Sequence, residues 1–270
     1  IISQALTEEQ RERIKAKIDR ARAMADTRER VIPEFATPPD GIQCPHCGNT
    51  GWTYEVTDDG YESVRACPYC YERRQVVRRL QHSGISPRDY ARFNLITFDP
   101  GKTPDSAKML AMAKKYLAEH TFGAFGSSGM GKTHICIAVC QELTRRYREP
   151  HHYFSYRSIM PGLVKASKSF KDDYEAEMQK WVRYQNLYID DMFKFSGKQA
   201  GDRIVIDQDE LRVFFDLINA RYLSHKTTLF SSEYMVKDIA AIDGALGSRI
   251  YDMVKPYGLA VSGPNQRLVG

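Results

Sequence analysis

From residue 106 onward the chain alternates between helical and extended patterns. Met109, Leu110, Met112, Ala113, Tyr116 and Leu117 mark the apolar face of a helix over 106–118. A short apolar run over 122–126 gives way to a glycine-rich loop and a second helix, which Glu149-Pro150 ends. Extended segments over 152–156, 187–191, 227–233 and 257–261 then alternate with helical ones over 159–184, 207–223 and 238–255. Short apolar strands separated by helices predict an α/β fold, a parallel sheet flanked by helices.

The first hundred residues follow another pattern. Residues 1–30 read as one charged helix, opened by a Thr7-Glu-Glu-Gln10 capping box, with Ile14, Ile18, Ala21 and Ala25 as a narrow stripe. A solvated helix and a docking helix for a partner protein both fit. Pro33, Pro38 and Pro39 end it. Trp52-Thr-Tyr-Glu-Val56 alternates, Asp58-Asp59-Gly60 is a turn and 61–66 returns, which predicts a hairpin. The basic helix over 72–80 is a linker or a phosphate-contacting stretch. Tyr90, Phe93, Leu95, Ile96 and Phe98 read as core, with a place beside an adenine base as the alternative.

Composition narrows the setting. The 270 residues allow about two domains. No run of about 18 apolar residues occurs, and the N-terminal stretch lacks the apolar segment of a signal peptide. A cytoplasmic protein with no membrane partner is expected. The formal charge of +5 is a mild basic bias. Four zinc-bound thiolates contribute a net −2 and lower it to +3, so nucleic-acid affinity would rest on local patches.

Three motifs then carry chemistry. The first, Gly126-Ser127-Ser128-Gly129-Met130-Gly131-Lys132-Thr133, is a phosphate loop between strand and helix, with His134 following. Its glycines let backbone N–H groups face phosphate oxygens, and the helix start adds its positive end. Lys132 is expected to reach the β- and γ-phosphates of ATP, and Thr133 to bind Mg²⁺. The second is the strand ending in Ile189-Asp190-Asp191, expected beside the phosphate-loop strand. There Asp190 would hold the Mg²⁺ shell, and Asp191 would orient or deprotonate the attacking water. The polar end of 227–233 can sense the γ-phosphate.

The third motif is Cys44-Pro-His-Cys47 with Cys67-Pro-Tyr-Cys70, two knuckles bracketing the hairpin. This is a zinc ribbon with a closed, structural four-thiolate site. His46 is a spacer or a competing ligand. Cys136 and Cys140 fall four residues apart on an apolar helix and read as small buried hydrophobes. Lys165, Lys168, Lys171 and Phe170 suit a grip on single-stranded DNA or an ordinary surface helix.

In this order, the phosphate loop, Ile-Asp-Asp, Ser231-Ser232-Glu233, Gly247-Ser248-Arg249-Ile250 and Arg267 resemble the AAA+ ATPases. More narrowly, the chain resembles the DnaC/DnaI-type replicative helicase loaders of bacteria and phages. The resemblance implies ATP or ADP with Mg²⁺ as ligands and no full helical lid. It places Ser232 and Glu233 at the first sensor, where Asn is commoner, Arg267 at the second, and Arg249 as an arginine finger acting on a neighbouring subunit. It implies self-association, ATPase activity that is weak alone, and two partners: a hexameric replicative helicase and single-stranded DNA. The domains expected are 1–75, helix and zinc ribbon, binding the partner; 76–100, a linker leading into the core; and 101–270, the ATPase. A transposition helper ATPase of the IstB type, binding duplex DNA and a transposase, is the alternative.

Overall fold

The computed structural model describes residues 8, 12, 13, 15, 16, 40–56, 62–117, 121–169, 171–194, 196, 198–200, 203–263 and 265. The expected helix over 1–30, the turn at 58–60, Phe170 and Arg267 therefore lie outside the described residues, wholly or nearly so. The chain divides into two compact units, Ile1–Arg74 and Gln75–Gly270.

In the first unit β1 (Trp52–Val56) pairs antiparallel with β2 (Glu62–Ala66), with Trp52 opposite Ala66 and Tyr54 opposite Val64. This is the ribbon that the alternating pattern predicts. A 3-10 turn, Pro45–Cys47, precedes it, and helix α1 (Tyr71–Gln81) follows.

The second unit is an α/β sandwich. In order its elements are α2 (Pro87–Arg92), α3 (Pro104–Tyr116), β3 (Gly123–Gly126), α4 (Lys132–Tyr147), β4 (His151–Ser155), α5 (Tyr156–Ser167), α6 (Lys171–Val182) and β5 (Asn186–Met192). Then come β6 (Lys198–Ala200), β7 (Arg203–Val205), α7 (Gln208–Leu223), β8 (Thr227–Ser232), α8 (Val236–Ile242), α9 (Gly244–Val254) and β9 (Gly258–Val261). Five strands form a parallel sheet in the order β4-β5-β8-β3-β9. Alternate residues feed two cores. Ile189 and Phe230 join the one built with α5 to α9, while Tyr188 and Leu229 join the one built with α3 and α4.

The sheet order corrects one expectation. The acidic strand β5 does not lie beside the phosphate-loop strand β3, because β8 runs between them. At about 4.8 Å per strand this puts β5 about 10 Å from β3. The gap is bridged from α4, whose Thr133 hydroxyl donates to Asp190 in β5. Helix boundaries differ as well. The stretch 159–184 is two helices, because Ser167 and Ser169 turn their hydroxyls onto the carbonyls of Val164 and Lys165 and end α5. The stretch 238–255 is likewise two. Asp243 closes α8 and its carboxylate caps α9 through the N–H of Leu246 at 2.7 Å. Gly247 lets these helices cross, since a Cβ there would lie 2.4 Å from the Cα of Ala240. Ile96, read as core, is 95% exposed. Asn94 accepts from the N–H groups of Ile96 and Thr97 and turns that side chain outward.

Candidate active site

Strand β3 ends at Gly126, whose φ of 123° only glycine adopts readily. A Cβ there would lie 2.0 Å from the carbonyl oxygen of Val261, and the Ser127 N–H donates to that same oxygen. Helix α4 starts on Gly131 with no side-chain cap, so its first N–H groups face the loop. Asn265 lies against the loop, where a Cβ on Gly129 would come within 1.9 Å of its Oδ1.

Lys132 is buried, and its Nζ donates to the carbonyls of Gly126 and Ser127, both at 2.8 Å. Burial lowers its pKa against the pull of Glu233 and Asp191. Thr133 Oγ1 donates to Asp190 Oδ1 at 3.2 Å. The structure thus brings together the hydroxyl and carboxylate that the sequence assigns to Mg²⁺. Asp190 is buried under three further hydroxyls: Tyr188 and Ser231 on Oδ1, each at 2.5 Å, and Tyr153 on Oδ2 at 2.8 Å. Burial, then the nearby carboxylate, push both tyrosines up, so they remain donors at neutral pH.

Asp191 takes a positive φ of 53°, and its N–H donates to Ser231 Oγ at 3.1 Å. Its carboxylate lies 3.0 Å from Lys194 Nζ, which also lies 3.0 Å from Glu233. Burial alone would raise the Glu233 pKa. Lys194 and the Ser128 hydroxyl overcome it and hold the group below its usual value. Ser232 is turned away, with its buried hydroxyl on the carbonyl of Met192 at 2.9 Å. Strand alternation instead puts the Ser231 hydroxyl on Asp190.

A cavity of about 590 Å³ opens here, formed by residues 128–134 with Arg92, Phe93, Lys102, Asp191, Lys194 and Glu233. That volume lies within the usual range for a nucleotide-sized ligand. Phe93 lines it, while Tyr90 and Phe98 are buried core. His134 is packed between the Phe93 and Phe98 rings and its Nε2 lies 3.0 Å from the Asn94 carbonyl oxygen. Burial lowers its pKa, so it is a neutral donor. Arg92 and Lys102 were not found from sequence, because no motif marks them.

Arg249 is not among the cavity-lining residues. Its Nε donates to Asn219 Oδ1 at 2.8 Å and its guanidinium lies 4.7 Å from the Phe215 ring centre. Lys168 pairs with Asp209 at 2.7 Å, and Lys165 is exposed. Cys136 and Cys140 are fully buried in the α4 core, and burial raises both thiols.

In the first unit the sulfurs of Cys44, Cys47, Cys67 and Cys70 all lie within 4.8 Å of one another. The Cys44–Cys67 and Cys47–Cys70 separations are 3.8 and 3.5 Å. A tetrahedral zinc with bonds of about 2.3 Å needs sulfurs about 3.8 Å apart, so the four fit that ion. Gly51 N–H donates to Cys47 Sγ and Arg74 Nε to Cys70 Sγ, both at 3.3 Å. Such donors suit thiolates. Arg74 is buried, and Asp40 and the Ile42 carbonyl take its other donors. His46 is exposed against Tyr69 and outside the set.

The parallel sheet, loop and paired acids define an AAA+ P-loop ATPase. Residues 91–255 match the bacterial DnaA ATPase domain. The chain belongs to that family. It is 29% identical over 245 residues to the phage-like element PBSX protein XkdC of Bacillus subtilis, covering 84% of this chain and 86% of that one. It is 30% identical over 126 residues to the chromosomal replication initiator protein DnaA of Thermus thermophilus, 46% of this chain and 26% of that protein. The chain thus spans about a quarter of that DnaA. Among solved structures, DnaI superposes with a TM-score of 0.51 at 21% identity, over 70% of this chain and all of that one. The DnaC helicase loader gives 0.50 at 19%, over 66% and 100%. The fold is therefore that of the DnaC/DnaI-type proteins. No helix among the described residues is long and apolar enough to cross a membrane.

Proposed function

We propose that this chain is an ATP-dependent helicase loader acting in the initiation of DNA replication. The observation that carries the reading is the 3.2 Å contact of Thr133 with Asp190 at the loop that also holds Lys132. Loop N–H groups and Lys132 bind the phosphates, and Thr133 and Asp190 hold Mg²⁺. That ion, when bound, supplies positive charge to the phosphate oxygens. Asp191 orients the attacking water and draws its proton. Arg249 lies outside its own cavity on a helix braced by Asn219 and Phe215, which supports action on a neighbouring copy. A finger of that kind is worth roughly 10³–10⁵ in rate, so a lone copy turns over slowly.

Residues 1–75 serve as the partner-binding part, 76–100 as the linker and 101–270 as the ATPase domain. The shared fold with the DnaC helicase loader supports a replicative helicase, taken here as the hexameric one, as the partner. A DnaA structure described as bound to single-stranded DNA supports that ligand. Lys165 and Lys168 are candidate phosphate contacts. The test is a pull-down with the full chain, Mg²⁺ and ATP, against a hexameric replicative helicase and, in parallel, a transposase. Helicase retention is expected. Retention of the transposase alone would favour the transposition-helper reading.

A further inference from the structure

Lys194 sits three residues beyond Asp191, in a turn that non-glycine residues rarely adopt. Asp191 and Phe193 both have positive φ, 53° and 63°. The Lys194 N–H closes the turn on the Asp191 carbonyl at 3.0 Å. Two left-handed residues in one turn are strained and persist only where the surroundings fix them. Phe193 provides that anchor, fully buried against Tyr156 and Phe214. The product of the turn is a lysine aimed into the nucleotide cavity. A lysine tail is flexible and carries three donors, so it can change acceptors without moving the backbone.

Charge balance says why a cation is needed there. Lys132 and Lys194 face Asp191 and Glu233, two positive groups against two carboxylates. Arg92 and Lys102 also line the cavity, but Lys194 is the cation paired with both carboxylates; without it an arriving terminal phosphate would meet Asp191 and Glu233 opposed by Lys132 alone. Diphosphate, one group shorter, would feel this less.

We propose that Lys194 is a γ-phosphate ligand that distinguishes ATP from ADP, leaving Asp191 and Glu233 for the terminal phosphate when ATP binds. This rests on the ATP reading of the cavity. With the ammonium on phosphate, Asp191 is released to hold the attacking water. With ADP bound, Lys194 spans Asp191 and Glu233 again and ties the end of β5 to the end of β8. The site thereby couples the phosphate count to an ion-pair tie between the ends of two neighbouring strands.

The experiment compares affinities of the full-length chain with Mg²⁺ for ADP and for the non-hydrolysable β,γ-imido analogue of ATP. Wild type, Lys194→Met and Lys194→Arg are titrated by calorimetry. Lys194→Met should weaken the triphosphate about tenfold and leave ADP within about twofold, the loss expected of one charge-assisted contact. Lys194→Arg should restore most of the preference. Equal weakening of both nucleotides, or of neither, would overturn the inference and leave the ATP reading standing. Failure of the wild type to bind either nucleotide would instead overturn the ATP reading itself. Should Lys194→Met not fold, Lys194→Gln carries the same comparison.

Discussion

His151 offers a quantitative test of the wall that holds the nucleotide cavity. It is fully buried between the Tyr90 hydroxyl, 2.5 Å from Nε2, and the Thr144 hydroxyl, 2.8 Å from Nδ1. The Tyr90 hydroxyl also meets Ser83 Oγ at 2.6 Å. Gln141 Nε2 donates to the carbonyls of Tyr90 and Phe93, so this network fixes α2 and the cavity-lining Phe93 together. Burial, helped by His152, pushes the His151 pKa down to about 3, against 6.5 when exposed. The folded protein therefore keeps His151 neutral where the unfolded chain would protonate it. The stability this contributes is complete above about pH 6.5 and is lost as pH falls towards 3. At about 1.36 kcal/mol per unit, the full span is worth about 5 kcal/mol, and about 2 kcal/mol is gone by pH 5. Urea unfolding of wild type and His151→Gln at pH 7 and pH 5 isolates this site, because the other histidines are common to both. Wild type should lose about 2 kcal/mol more than the variant between the two pH values. Parallel losses would refute the buried neutral histidine.

Three further outcomes follow from the geometry. Gly247→Ala puts a Cβ into Ala240 and should destabilise the chain by about 1–3 kcal/mol in urea unfolding; unchanged stability would mean that α8 and α9 part freely. Metal analysis should find about one zinc per chain, and a strong chelator should change the fluorescence of Trp52, which packs on Tyr71 beside the thiolates; zinc-free protein with an intact signal would remove the metal assignment. Tyr188→Phe removes one hydroxyl from the Asp190 carboxylate and should cost about 1.5–3 kcal/mol while weakening Mg²⁺-dependent nucleotide binding, with both read on the same preparation. Loss of stability with unaltered Mg²⁺ dependence would separate Tyr188 from the metal site.

The parts that were legible in the sequence are those whose chemistry needs contiguous residues. A phosphate loop must be a glycine-rich run ending in Lys132-Thr133, and a thiolate knuckle must be two cysteines across a tight turn. Alternation of strand and helix likewise gave the layers. What was hidden depends on contacts between distant segments. Nothing in Ile189-Asp190-Asp191 tells that β8 will separate it from β3. Nor does it tell that Tyr153, from another strand, will bond to Asp190. Ser231 and Ser232 differ only in which sheet face they meet, and a one-residue shift exchanges them. Arg92 and Lys102 reach the cavity from segments that carry no periodic signal. Lys194 belongs to no motif, and only the turn at Asp191 and Phe193 gives it a direction.

The most direct measurement is ATP hydrolysis by mixtures of two variants, Lys132→Ala and Arg249→Ala, each assayed with Mg²⁺ alone and then together under conditions of self-association. Lys132→Ala lacks the phosphate-binding lysine but keeps its arginine; Arg249→Ala keeps the loop. Each should be nearly inactive alone, and the mixture should regain activity as an intact loop in one copy meets an intact Arg249 in the next. Wild-type turnover by Arg249→Ala alone, or by Lys132→Ala alone, would contradict an ATPase whose loop and finger lie on different copies.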